Sequence, residues 1–309
     1  MKKGSEYGVS EWIGDKLARL AGLDSEEAKA AQLKQRINRL IADLNMPDAD
    51  DRRTAAERLG KIGTEAKEAI SALINALEDQ SSGVRNSAAE ALGSFGLEGR
   101  DAVPALIATL KDEDIFTRSS AALSLGHIGL VSREATDALI IALNDPDEFI
   151  RRAVIEAIVE INPVDERAAP ALIEKLEDED ESVREYAAKA LANFKSAVDV
   201  TVPALADALV DPVSIVTIQV IFTLSDLGPS AVKALPALIE VLNNHRNVEI
   251  RVAAINALAA IGSETEEVVL SLKEAQNSKN GRIRQSAEEA LSTLKRNSSK
   301  SQSSQSHPS

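Results

Sequence analysis

The sequence predicts an all-α fold, a solenoid of about eight two-helix repeats stacked side by side, and three observations carry that expectation. Arginine recurs every 33 residues, at Arg52, Arg85, Arg118, Arg151 and Arg184; the register then reaches Thr217 and, after a one-residue insertion, resumes at Arg251 and Arg284. Seven residues beyond each of these stands an aliphatic side chain: Leu59, Leu92, Leu125, Ile158, Leu191, Leu224, Leu258 and Leu291. A second series, Pro104, Pro170, Pro203 and Pro236, opens apolar stretches such as Pro104-Ala105-Leu106-Ile107. Self-similarity at a fixed period signals a repeat architecture, in which no single repeat buries its apolar face alone and neighbours must stack into a continuous core.

Taken in chain order, residues 1–9 are expected to be a flexible N-terminus and residues 10–37 a helical cap. Within that cap, residues 10–22 read as a short amphipathic helix. Residues 24–44 read as a longer one whose end supplies the first helix of repeat one. The solenoid is predicted over residues 38–296. Each repeat reads as a first helix of about ten residues and a slightly longer second helix, joined by polar turns. Proline suits the first turn of the first helix, where its missing N–H would have no partner in any case. Asp48, Ser81, Asp114, Asp147, Asp180, Asn247 and Asn280, four residues before the arginine position, are predicted N-caps of the second helices. Gly63, Gly96, Gly129, Gly228 and Gly262 are predicted to close them. Residues 297–309, NSSKSQSSQSHPS, have nothing to bury and are expected to be a disordered tail.

Composition narrows the function. Aromatic residues make up only 3% of the chain, so the core must be built from Leu, Ile, Val and Ala, which favours close helix-on-helix packing. Cysteine is absent, which removes disulfides, thiolate nucleophiles and cysteine metal sites. With 35 basic and 49 acidic residues the net charge is −14, and such a chain repels nucleic acid and anionic membranes. The N-terminal lysines are not followed by an apolar run, and no stretch reads as a membrane span, so a cytoplasmic protein is expected.

The second-helix pattern V/I-R-x-x-A-A-x-A-L-G-x-I/F-G, seen from Val84-Arg85 to Gly96, resembles the HEAT repeats named after phycobilisome lyases. That resemblance covers about residues 38–294 and implies an armadillo-like superhelix with the second helices on its concave face. It is specific for fold only: proteins that look like this include interaction scaffolds, chromophore-lyase subunits, chaperone-like factors and a di-iron hydroxylase. The resemblance also implies a ladder of charged hydrogen bonds between neighbouring repeats. Here it would join Arg85, Arg118, Arg151 and Arg184 with Asp79, Asp112, Asp145, Asp178 and Asp211, the aspartates six residues before each arginine position. Such pairs are structural on their usual reading, because a partly buried carboxylate requires a charged donor.

No catalytic or cofactor-binding constellation is found. His127, His245 and His307 are too scattered to ligate a metal together, the His-Glu dipeptides of the hydroxylase are missing, and no phosphate loop or nucleophile elbow occurs. The acidic run Glu177 to Glu181 reads as a solvated capping loop. No cofactor and no metal are therefore expected.

A partner surface is the better expectation. Residues one, five and nine beyond the arginine position share one outward helical stripe. In repeat two the stripe is Asn86, Glu90 and Ser94, ordinary polar surface; in repeat three it is Ser119, Leu123 and His127; in repeat six it is Ile218, Phe222 and Asp226. Repeat six stands out, because its second helix is apolar nearly all round and carries Thr217 where arginine is expected. Phe116, Phe149 and Ile215, two residues before the arginine position, form a second candidate stripe. The reading is a non-catalytic scaffold or adaptor that holds a protein in the groove of repeats three to six. Leu123, Ile218 and Phe222 are its anchors, and nearby Glu90, Glu156, Glu160, Glu185 and Asp226 favour a partner with a basic rim. The alternative, a phycobilin lyase subunit or phycobiliprotein-handling chaperone, ranks second for want of cysteine and of aromatics to stack on a tetrapyrrole.

Overall fold

A computed structural model describes residues 26–129, 135–161, 166–262 and 265–305, with side chains from residue 28 to residue 296. The expected flexible start and the short helix of residues 10–22 lie outside the described residues. Among those described, all regular structure is helical, and the helices fall into eight consecutive pairs. The pairs are α1 (Glu26–Asp43) with α2 (Ala49–Ile62), α3 (Ile70–Ala76) with α4 (Ser82–Ser94), α5 (Val103–Thr109) with α6 (Ile115–Ile128), and α7 (Thr136–Ala142) with α8 (Glu148–Ile161). They continue as α9 (Ala169–Glu174) with α10 (Glu181–Leu191), α11 (Val198–Asp207) with α12 (Ser214–Leu227), α13 (Leu235–Asn244) with α14 (Val248–Ile261), and α15 (Glu266–Ala275) with α16 (Gly281–Gln305). The fold class is the all-α stack of two-helix repeats that the period predicts.

The chain divides into two compact regions, residues 1–128 and 129–309, holding repeats one to three and four to eight. In the first, α2 packs on α4 and α4 on α6; in the second, α8, α10, α12, α14 and α16 pack successively on one another. The aliphatic residues of the 33-residue period form the floor of that packing: from Leu59 to Leu258 none is more than 2% exposed, and Leu291 is 9% exposed. Each such burial is worth about 1.5–3 kcal/mol.

The predicted caps are formed with one exception. Asp48, Asp114, Asp147, Asp180, Asn247 and Asn280 all accept backbone N–H groups of the turn they start. Ser81 is the exception: its side chain makes no such bond, and its own N–H goes to the Asp79 carboxylate at 2.8 Å. The five predicted closing glycines are the glycines with positive φ among the described residues. At Gly228 the pair φ 54°, ψ −133° lies in a region open only to glycine, and there the chain turns from α12 into the first turn of the next pair. This break also divides the apolar stretch Ser214–Asn244, whose most apolar 18 residues have a mean hydropathy of 1.5, into helices of 14 and 10 residues. Each is shorter than the roughly 20 residues a bilayer crossing requires.

One expectation meets a different outcome. Residues 297–305 continue α16 to Gln305 instead of leaving the helix at residue 296. Extending an existing helix adds one hydrogen bond for each residue fixed, so a polar segment can follow a packed helix without a face of its own to bury.

Candidate functional site

The recurrent arginines are structural, and their geometry explains why the period is so strict. Arg52 Nε and Nη2 donate to the two oxygens of Asp79 at 2.7 and 2.8 Å, and Arg85 grips Asp112 in the same way at 2.7 and 2.7 Å. Arg184 repeats the clasp on Asp211 at 2.6 and 3.2 Å. Arg151 reaches Asp178 through Nη2 alone, at 2.7 Å, and its buried Nε has no partner; Lys175 approaches the other Asp178 oxygen at 3.7 Å. Each partner stands 27 residues on, in the turn of the following repeat. Nη1 of Arg52, Arg85, Arg118, Arg151 and Arg184 donates to the carbonyls five and six residues before it, as with Arg118 to Asp112 and Glu113. The aspartate meanwhile accepts the N–H two residues on, so one carboxylate fastens its own turn and the preceding helix together.

These pairs perturb titration in the expected sense. Paired hydrogen bonds from Arg52 hold the Asp79 carboxyl below its ordinary range, against the opposing effect of burial. Burial pushes Asp112 upward, yet the bonds from Arg85 and the Asp114 N–H outweigh it and the net direction is down.

The ladder ends after Asp211. At the next junction Thr217 replaces the arginine and His245 the aspartate, so both charges are missing together. Thr217 is fully buried and donates its hydroxyl to the Asp211 carbonyl at 3.2 Å, the acceptor an arginine would use. His245 Nδ1 accepts the Asn247 N–H at 3.0 Å, as the aspartates do in their turns. One junction further on, Ser278 holds the register position where a carboxylate would meet Arg251, and Arg251 Nε bonds the Leu242 carbonyl at 2.6 Å.

The predicted partner residues lie on both regions. In the first, Phe116 and His127 are exposed on α6 and Leu123 is half-buried. In the second, Phe149 is 58% exposed at the start of α8, and Ile215 and Phe222 are each 52% exposed on α12, with Ile218 half-buried between them. Phe149 and Ile215 occupy equivalent register positions. In repeat five that position is Ser182, and beyond Ile215 it is Glu249 and then Arg282, which form a two-pronged ion pair with each other. Arg152 lies with its guanidinium 4.7 Å from the Phe149 ring and 5.7 Å from the Tyr186 ring of α10.

At the outward register positions of repeats four to six, Glu156, Glu160, Glu185 and Asp226 make no ion pair among the described residues. The sequence does not announce the stack, because it depends on which rings a neighbouring helix brings near; the only signal is Phe149 three residues before Arg152. The corresponding face of the first region is occupied by its own bonds. Arg53 is paired with Glu57 and Asp50, Asn86 donates to Glu90 at 3.3 Å, and Ser120 donates to Asn86 at 2.7 Å. No three carboxylate or imidazole groups among the described residues are placed to hold a metal ion.

The family of HEAT repeats matches the chain over residues 37–100, 97–158, 136–225 and 202–292. The chain belongs to the HEAT-repeat family. Among solved structures this HEAT-repeat protein is similar to YibA of E. coli, with 21% identity over 96% of this chain and 98% of that one and a TM-score of 0.58. Importin beta matches 90% of this chain at 15% identity and a TM-score of 0.63, this chain spanning 42% of its length. Both likenesses concern the fold alone. The complex of CpcE and CpcF of phycocyanin lyase from Nostoc sp. PCC7120 superposes more loosely, with 25% identity, 81% and 94% coverage and a TM-score of 0.46, and bears on nothing further. No curated protein matches the chain.

Proposed function

We propose that this HEAT-repeat protein is a non-catalytic interaction scaffold that holds a protein partner on the second-helix face of repeats four to six. Ile218 and Phe222 are its anchors, and Phe149 and Ile215 line its edge. On the first region the proposed contacts are Phe116, Leu123 and His127. The observation that carries the reading is the exposure of Phe149, Ile215 and Phe222, each more than half open to solvent, on a face whose carboxylates are unpaired. Exposed apolar groups rimmed by polar residues mark interaction surfaces, and aromatic anchors dominate binding energy. A partner with a basic rim fits Glu156, Glu160, Glu185 and Asp226, whereas a net charge of −14 opposes nucleic acid. The reading places the protein in the cytoplasm and assigns it no cofactor.

Recovery of partners from native lysate by the wild type and by Phe222→Asp tests this, with circular dichroism confirming that both remain helical. A partner kept only by the wild type supports the reading. Equal recovery by the two proteins moves the interface away from repeat six.

A further inference from the structure

Between α8 and α10 lies a groove of about 370 Å³, with Ile155, Val159 and Tyr186 against it and Glu156, Glu160 and Lys189 at its rim. Glu156 and Glu160 are four residues apart on α8, so they share one face one turn apart, an arrangement that is mutually repulsive unless a cation lies between them. The structure supplies no such cation. Arg152, one turn before Glu156 and well placed by spacing to pair with it, instead stacks on Phe149 and Tyr186. Lys189 is exposed and makes no ion pair with either glutamate. Val159 adds to the apolar wall at a register position that is Gly60 and Gly93 in the first region. There a Cβ would stand 2.9 Å from the Cα of Ala91 or Ser124, so the helices close tightly.

Resting on the scaffold reading above, we infer that this groove receives a lysine or arginine side chain from a flexible, basic and apolar peptide segment of the partner. The methylenes lie on Ile155, Val159 and Tyr186, and the cationic head sits between Glu156 and Glu160. A long basic side chain matches this lining at both ends, because its stem is apolar and its tip is charged. The volume accommodates one such chain, and the unpaired carboxylates supply the complementary charge that a wholly apolar or acidic occupant would leave stranded. Apolar neighbours in the same segment then reach Ile218 and Phe222. Lys189, at the rim of the same groove, repels an incoming base, so its removal favours the occupant.

A phage library of short random peptides, selected on the full chain, tests this directly. The expected outcome is enrichment of peptides that combine a lysine or arginine with apolar residues, bound about tenfold more weakly by Glu156→Gln/Glu160→Gln and more tightly by Lys189→Ala. Enriched peptides that lack a basic residue, or that bind the double glutamine variant as well as the wild type while Phe222→Asp abolishes binding, overturn the groove and leave the scaffold reading standing. Loss of binding in the glutamine variant with Phe222→Asp unaffected keeps the groove and removes the anchor assigned to repeat six. Absence of any enriched peptide overturns the peptide occupant, and the lysate comparison then decides the scaffold reading separately.

Discussion

Repeats one to three and repeats four to eight are written with the same period but place their charges differently. In the first region, Arg52 and Arg85 are clasped by Asp79 and Asp112, and the outer polar groups of the second helices are bonded to one another. In the second region the ladder ends after Asp211, Thr217 and His245 replace one pair, and Phe149, Ile215 and Phe222 stand in solvent beside unpaired carboxylates. The difference teaches that a repeat can keep its core while its polar groups are either satisfied internally or left for something else to satisfy. Stability and recognition draw on different positions of one repeat, and the balance between them shifts from the first region to the second.

Four measurements break or sharpen that contrast. The largest effect is expected at the ladder itself. Asp112→Ala leaves Arg85 buried at 8% exposure without its carboxylate and should cost about 3–5 kcal/mol in denaturant unfolding. A cost under about 1 kcal/mol would show the first region is not held this way. Next, Phe222→Asp should weaken partner binding by about 2 kcal/mol or more while unfolding changes by about 0.5 kcal/mol or less; comparable losses in both would return Phe222 to the core. Third, Thr217→Arg with His245→Asp rebuilds the missing rung. The double variant should be more stable than either single one, with a coupling of about 0.5–3 kcal/mol in a double-mutant cycle; additive changes would mean that the junction has closed around the threonine.

The smallest effect is the pH response. Arg52 lowers the Asp79 carboxyl below its ordinary 3.8, so the folded state binds that proton less readily than the unfolded chain. The stabilisation is present above that value and is lost as pH falls below it through the lower folded-state value. Asp79→Asn should flatten the stability profile in that acid window and leave its slope at neutral pH unchanged. An unchanged acid limb would remove the pair from the pH response.

Most of the fold was legible because a repeat records its own spacing: Leu59 to Leu258, the closing glycines and the clasping aspartates all sit at fixed offsets from one arginine. The clasp was foreseeable at the level of residue type, since an aspartate that recurs 27 residues after an arginine must serve the next repeat. Ser81 was misleading, because its residue type suggested a capping bond that its side chain does not make. The helix through residues 297–305 was invisible to a reading based on burial, which weighs side chains and not backbone continuity. Exposure of Phe222 agrees with the outward stripe that helical spacing assigns, and Phe116 and Phe149 are exposed at the second position, two residues before the arginine. The stacking of Arg152 was hidden, since spacing alone would pair it with Glu156.

The fixed offset of the clasp has a genetic consequence. Removing residues 152–184 in frame would bring Arg151 to a point 27 residues before Asp211, so a recombination event could delete or duplicate a whole repeat there and every clasp would find a partner. Removing residues 185–217 would instead set Arg184 against the turn of His245, leaving a cation without its acceptor. The number of repeats is therefore free to drift where the ladder is intact and is pinned where it stops, and the apolar helix α12 lies at that boundary.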